Sequence, residues 1–334
     1  HPLLEGRIGY SASFDSNAVI GLLDPKLQAE DSFVRGAYKM ATMGCSIVGV
    51  TNNANYGRTT VPEEMWEFAE GQRGVAKACY NWELEPEYVK MIMQDEEIAE
   101  KFQSDSRHHL TVNSGNCSLN KGNANTGTAI PPTTILGLIG WTNQPSKYAT
   151  WDMKRVDSEL FLIGARQAAL GATDYLQTSF GPESLGDKLF SIDYETSRKE
   201  VDTIISSVRR GYVPSANGIE EGGLCNAVSE MTANAKAPVN VNVYLGREMG
   251  EPDLNSYEKL FSESMGVVLQ VPIRYKNIFL ATCKSNGVNA YNIGDVTSSE
   301  QDGILQFISG NDILTYSQNM IKKLYDNKLR NMLN

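Results

Sequence analysis

Basic clusters are scarce in this sequence. Its 30 lysines and arginines are outnumbered by 40 aspartates and glutamates, leaving a formal charge of −10. Nucleic acid and anionic membranes both demand clustered cations, so neither is expected as the main partner. The short pairs Arg198-Lys199 and Arg209-Arg210 fall on predicted helices, where a solvated face is the ordinary use of charge. Long hydrophobic runs are missing too: no apolar stretch reaches the length of a membrane span, and no signal peptide is legible. Cysteine is odd in number and scattered. Cys45, Cys79, Cys117, Cys225 and Cys283 form no CxxC pair, so neither a zinc ribbon nor a disulfide framework is indicated, and a reducing, cytosolic compartment fits. GxxxxGKS/T, GxGxxG and GxSxG are all absent, which removes the P-loop, the Rossmann fingerprint and the hydrolase elbow. Histidine is nearly absent as well. His108 and His109 are adjacent, and neighbours on a strand point to opposite faces, so they cannot serve one metal or one proton transfer.

What is present reads as an ordinary globular composition, 41% hydrophobic and 21% charged over 334 residues. That length accommodates two domains, placed at 1–150 and 151–334 with the polar stretch Pro145–Arg155 crossing between them. The abrupt start at His1-Pro2 reads as a fragment edge or a processed end. Strands are expected around a turn within Tyr10–Leu23, then a helix from about Gln28 to Met43 stopped by Gly44, then a strand over Cys45–Thr51. Pro62 opens another helix, with Glu63 and Glu64 in its first turn, where the dipole favours anions. Glu83–Arg107 reads as an acidic, helical excursion used as a surface helix or a partner-binding insert.

The second half alternates strand and helix, the pattern of an α/β layer architecture. Strands are expected at Leu160–Ile163, Val239–Leu245, Val267–Val271, Ala290–Ile293 and Ile304–Ile308. Helices are expected at Glu195–Tyr212, Gly222–Ala235, Ile273–Asn286 and Asn311–Leu324.

The chain is organised around Thr111–Thr133, where a β-branched run enters small and amide-bearing residues and a second apolar run, Ile135–Trp141, follows. Ser114-Gly115-Asn116-Cys117-Ser118 reads either as a plain polar connection or as a turn whose N–H groups cradle a phosphate. Two more polar turns accompany it, Thr51–Gly57 and Asn217–Gly223, and the latter ends on a helix N-terminus, which attracts phosphate. Glu220 and Glu221 would repel bare phosphate there but could hold it through Mg²⁺. Ser262-Glu263-Ser264, just before a strand, is a fourth candidate.

These segments, in this order, resemble the C-terminal synthetase half of phosphoribosylformylglycinamidine (FGAM) synthase, in the superfamily shared with aminoimidazole ribonucleotide synthetase. Thr51-Asn52-Asn53-Ala54-Asn55-Tyr56-Gly57 with Pro62-Glu63-Glu64-Met65-Trp66 is similar to the family's TDNLNFGNP…PEVMW. Ser114–Asn120 is similar to SGNVSLYN, Pro131-Pro132-Thr133 to PTP, and Ala169–Leu176 to ELGGSEYL. Ser215–Met231 resembles SAHDVSDGGLAVALAEM, and Leu260–Gly266 resembles LFSESQG.

The resemblance implies an N-terminal α+β domain whose sheet closes a barrel with a sister domain, followed by a C-terminal α/β domain. It implies ATP and Mg²⁺ as cofactors and amidation of formylglycinamide ribonucleotide with glutamine-derived ammonia. Phosphate activates the formyl amide oxygen as a leaving group, and ammonia displaces it. The nucleotide-binding residues it implies are Asn53, Ser114, Gly115, Asn116, Ser118, Gly222, Gly223 and Ser262, and the metal ligands are Asn52, Glu63, Glu221 and Glu263. No catalytic residue is assigned. A separate N-terminal synthetase half and a glutaminase are the implied partners, with a homodimer or heterodimer through Gly6–Trp141.

The sequence also departs from the family. Asn52 and Glu221 replace aspartates, Asn217 and Gly218 replace a His-Asp pair, and Val267 replaces an arginine. Exchanging carboxylate for amide removes charge from a hard-cation site. A catalytically silent scaffold that keeps the fold is therefore the alternative expectation.

Overall fold

The structure, a computed structural model, describes residues 8–15, 24–57, 74–79, 81–82, 110, 112–123, 128–129, 133–142, 144, 146–186 and 188–333. The expected helix after Pro62, apart from the helical segment 74–79, lies outside the described residues, as do the excursion at Glu83–Arg107, His108-His109 and the part of Tyr10–Leu23 beyond Asp15. The chain divides into two compact units: 1–41, 45–146 and 192–198 form the first; 42–44, 147–191 and 199–334 form the second.

The first unit carries a five-stranded mixed sheet in the order β1-β5-β2-β3-β4. These strands are β1 (Ile8–Asp15), β2 (Ser46–Gly57), β3 (Val112–Asn123), β4 (Thr128–Ala129) and β5 (Thr133–Thr142). Helix α1 (Pro25–Thr42) starts at Pro25 rather than Gln28. Proline fits the first helical position because its missing N–H is one the helix leaves unpaired anyway. Asp24 accepts the next two amides, Lys26 N and Leu27 N, at 3.0 and 3.2 Å.

Ala29, Phe33, Ala37 and Ala41 recur every fourth residue on α1 and are buried, while Leu136 and Leu138 of β5 alternate inward. Buried Gln28 ties helix to sheet by accepting Thr134 N at 3.0 Å.

One reading of the sequence is corrected here. The amide-rich stretches at Thr51–Gly57 and Ser114–Asn120 are not turns but the outer parts of β2 and β3, which pair in parallel. A shared backbone ladder overrides the poor strand propensity of Asn and Gly.

The second unit is built on a seven-stranded sheet, ordered β12-β11-β8-β10-β6-β9-β7. Its strands are β6 (Ser158–Ile163), β7 (Ser215–Gly218), β8 (Val239–Tyr244), β9 (Val267–Pro272), β10 (Ala290–Ser298), β11 (Ile304–Ser309) and β12 (Asp312–Ser317). All pairings are antiparallel except β8 with β11, so the strand–helix alternation does not produce a parallel sheet.

The helices are α2 (Asp174–Phe180), α3 (Tyr194–Arg209), α4 (Gly223–Ala233), α5 (Ser256–Phe261), α6 (Lys276–Ser285) and α7 (Gln318–Leu333). Leu224, Ala227, Val228 and Met231 of α4 form one buried stripe with Val239, Val241 and Val243 of β8 and Leu305 and Phe307 of β11. The expected helix Asn311–Leu324 is corrected to β12 followed by α7. Gly310, at φ 60, opens a two-residue connection from β11 to β12. A glycine first in such a loop gives the type II′ turn that matches strand twist. Among the described residues, no helix is long and apolar enough to cross a membrane.

Candidate functional site

In the first unit, the parallel ladder sets Asn52 beside Gly115, Asn53 beside Asn116, Thr51 beside Ser114 and Asn55 beside Ser118. The two motif segments are thus adjacent, strand against strand. Gly115 has a packing reason for being glycine: a Cβ there would stand 3.2 Å from Asn52 O. Asn52 is buried. Glu63 lies outside the described residues.

The remaining candidates meet in the second unit around the start of α4. Gly222 and Gly223 both hold φ in the left-handed region, at 79° and 67°. A Cβ on Gly223 would fall 2.6 Å from Leu260 O and 2.9 Å from Phe261 Cα, so this turn is pressed directly against the end of α5. The chain leaves α5 through Ser262 and Glu263, both buried. Glu263 Oε1 accepts the amide of Gly222 and the amide of Asp174, each at 2.9 Å. One carboxylate oxygen therefore fastens the glycine turn to the first residue of α2.

Beneath this junction sits Arg166, fully buried. Its guanidinium donates Nη1 to Ser262 O at 3.0 Å and Nη2 to Met265 O at 2.7 Å. The fork geometry of arginine suits two carbonyls at once. Gly266 makes room for it, since a Cβ there would lie 2.6 Å from Arg166 Nη2. Ser262 Oγ donates to Ser264 Oγ at 3.2 Å, closing the segment on itself. Arg166 was not among the expected site residues. Its signal in the sequence is an arginine placed just after the apolar strand Leu160–Ile163, at a point where a buried cation must find carbonyl partners.

An aromatic shelf adjoins the same junction. Tyr175 of α2 stacks on Phe261 of α5, with ring centroids 4.5 Å apart and planes 6° from parallel. Tyr257 and Phe180 extend the group, and both are exposed. Asn217, where the family motif has histidine, donates to Glu230 Oε2 at 2.9 Å on α4 and is buried. Cys225, in the first turn of α4, has its thiol pushed up to about 11 by burial.

Chemically, the turn supplies a helix N-terminus whose next amides, on Leu224 and Cys225, lack partners within the helix by the geometry of any α-helix. Such a terminus favours an anion. Glu221 is exposed at its edge, and the aromatic shelf offers a flat apolar face nearby. Among the described residues, no three His, Cys, Asp or Glu side chains gather closely enough to hold a metal ion by themselves.

Residues 158–305 match the family model of the AIR synthase related protein, C-terminal domain. Over 299 residues the chain is 24% identical to the phosphoribosylformylglycinamidine synthase subunit PurL of Methanothrix thermoacetophila, covering 90% of this chain and 35% of that protein. It is 27% identical over 269 residues to the same subunit of Symbiobacterium thermophilum, covering 80% of this chain and 30% of that one. The chain spans about a third of the length of these curated relatives.

Among solved structures, T. maritima PurL complexed with FGAR superposes with a TM-score of 0.68 at 14% identity, covering 95% of this chain and 46% of that one. Thiamine-monophosphate kinase of Stenotrophomonas maltophilia superposes at 0.58 with 10% identity, covering 92% and 87%. These likenesses describe the fold. Together with the family match they agree with the motif resemblance to the synthetase half of FGAM synthase.

Proposed function

We propose, from the premise that residues 158–305 form an AIR synthase-related C-terminal domain, that the chain is one half of an ATP-dependent carbon–nitrogen ligase of the FGAM synthase type. It would work in purine biosynthesis in the cytoplasm, with an N-terminal synthetase half and an ammonia-supplying glutaminase. The observation that carries this reading is the meeting of three of the collinear motifs, Ala169–Leu176, Ser215–Met231 and Leu260–Gly266, at one place in the second unit. Gly222 and Gly223 open α4 while Glu263 braces them.

In this reading the amides of Leu224 and Cys225 at the α4 terminus receive phosphate oxygens. For Asn53, Ser114, Gly115, Asn116 and Ser118, on the ladder of the first unit, a nucleotide-binding role rests on the motif resemblance alone. Mg²⁺ commonly needs only one or two carboxylates when phosphates and water complete its shell. Glu221 fits that role. Glu263, with one oxygen taken by two amides, is an anchor of the turn. Phosphate transfer would turn the amide oxygen of a formylglycinamide substrate into a leaving group for ammonia. The protein's share of that work is holding and orienting, since the positive end of α4 stabilises negative charge without moving. The open five-stranded sheet would close a barrel against a sister domain, covering edges that soluble proteins seldom leave bare.

Turnover of ATP by the purified chain mixed with a partner half, formylglycinamide ribonucleotide and ammonia tests the proposal. Phosphate release that depends on all four components is expected, and its absence would remove the ligase reading. The second reading, a silent scaffold, draws on Asn52 and Val267 in place of charged residues. Calorimetric titration with Mg-ATP separates the two, because micromolar binding counts against a scaffold.

A further inference from the structure

The edge of the large sheet carries a feature that belongs to none of the nucleotide chemistry. β12 and α7 lie beyond the residues matched by the family model, and β12 is the outermost strand on its side of the sheet. Exposed edge strands are usually blunted by lysine, proline or a bulge. β12, with the sequence DILTYS, has none of these, and its pairing with β11 runs unbroken from Asp312 to Ser317.

It is also apolar on both faces. Ile313, directly across from Ile308, is 54% exposed, and Leu314 on the opposite face is 55% exposed. Leu314 shares its face with Tyr316, which packs on the buried core. The next helix adds Met320 and Leu324, one turn apart and both exposed. Apolar side chains standing open on both sides of a strand edge mark a place where another strand adds.

The hydrogen-bonding pattern says which strand. The two-residue connection at Gly310-Asn311 makes Ser309 and Asp312 a hydrogen-bonded pair, so Asp312, Leu314 and Tyr316 turn their backbone groups toward β11. Ile313, Thr315 and Ser317 therefore present theirs outward. Side chains of paired residues must share a face, so an antiparallel self-pairing has to join positions of equal parity. The register centred on Thr315 satisfies every outward group. It sets Thr315 against Thr315 of a second copy and Ile313 against Ser317 of that copy. On the core face it sets Leu314 against Tyr316, an aliphatic–aromatic pair of the kind that stabilises sheets. Charge permits this contact although the chain as a whole carries −10. From Ile304 to Ile321 the only charged residue is Asp312, and in this register it meets Gln318 of the other copy rather than its own equivalent.

We propose that two copies of the chain associate through β12, antiparallel about a twofold axis at Thr315. The two seven-stranded sheets then become one continuous sheet, with Leu314 of each copy against Tyr316 of the other. This interface is separate from the barrel-closing face of the first unit and does not depend on the ligase reading.

A cysteine at the axis reads this contact alone. Hydrogen-bonded antiparallel partners lie about 5.5 Å apart at Cα, within disulfide range. Under mild oxidation Thr315→Cys is expected to give a covalent dimer, while wild type and Gln306→Cys, placed one strand inward, do not. Thr315→Pro removes an outward N–H that β11 does not use, so it leaves the hairpin intact and blocks addition. By sedimentation it is expected to weaken self-association roughly tenfold or more, the factor that about 1.4 kcal/mol produces. Ile313→Lys serves as a second variant of the same effect. A wild-type chain that stays at 36.8 kDa at micromolar concentration overturns the proposal. So does a Thr315→Cys protein that fails to cross-link, or a pair of variants that associate as wild type does.

Discussion

At the scale of single residues, the candidate site depends on contacts that tolerate no change of shape. Gly223 combines a left-handed backbone with a close approach to Leu260 O. Gly223→Ala is expected to destabilise the protein by about 2–3 kcal/mol, since strain and the clash with Leu260 O act together. The midpoint of urea unfolding measures it. Glu263→Ala would remove the acceptor that the amides of Gly222 and Asp174 share, at a cost of roughly 2 kcal/mol by the same measurement. Glu221→Gln should change stability by no more than about 1 kcal/mol, the usual limit for interactions of an exposed charge. It should weaken Mg-nucleotide binding roughly tenfold in calorimetry if one carboxylate assists the ion. The glycine pair and the carboxylates around it were legible in the sequence as a turn opening a helix. That Glu263 gives one oxygen to two amides, and that Arg166 supports Ser262 and Met265 from below, was not legible. The partners lie far apart in the chain: 41 and 89 positions for Glu263, 96 and 99 for Arg166.

At the scale of elements, the legible strands were those whose own side chains decide the matter. Val239–Tyr244 alternates inward and outward, and Val267–Pro272 is buried throughout. β2 and β3 were legible only in part, because their outer residues are amides and glycines that become strand through pairing with each other. β12 was hidden for another reason: Ile313, Ser317, Ile321 and Leu324 also fit helical spacing, and only the Gly310-Asn311 turn signals a hairpin instead. Helix α1 depends on a start signal that can be removed without touching any core residue. Asp24→Ala is expected to cost about 1 kcal/mol, read from thermal unfolding, because two amides lose their acceptor.

At the scale of the whole molecule, buried acids set an alkaline limit on stability. Burial pushes the thiols of Cys79 and Cys283 up to about 12 and that of Cys225 up to about 11, from an ordinary 9.0. Burial also raises Tyr194, aided by Glu30, and Tyr325. A group whose folded pKa is raised stays protonated in the folded chain after the unfolded chain has released its proton. Its contribution is complete below the unfolded value and is lost as pH rises from there toward the folded one. The urea midpoint is therefore expected to fall steadily above about pH 9, and Cys283→Ala should flatten that fall.

The order of strands in the large sheet has a consequence for the birth of the protein. β6 is the first of its seven strands to leave the ribosome, yet it lies between β9 and β10, which follow more than a hundred residues later. Until residues 267–298 emerge, the apolar segment Leu160–Ile163 has neither neighbour and must wait without a sheet to join. Contacts so distant along the chain make folding slow and place its decisive step after β9 and β10 have emerged. A nascent chain stalled before β9 would leave an apolar strand that the finished sheet buries without either of its neighbours.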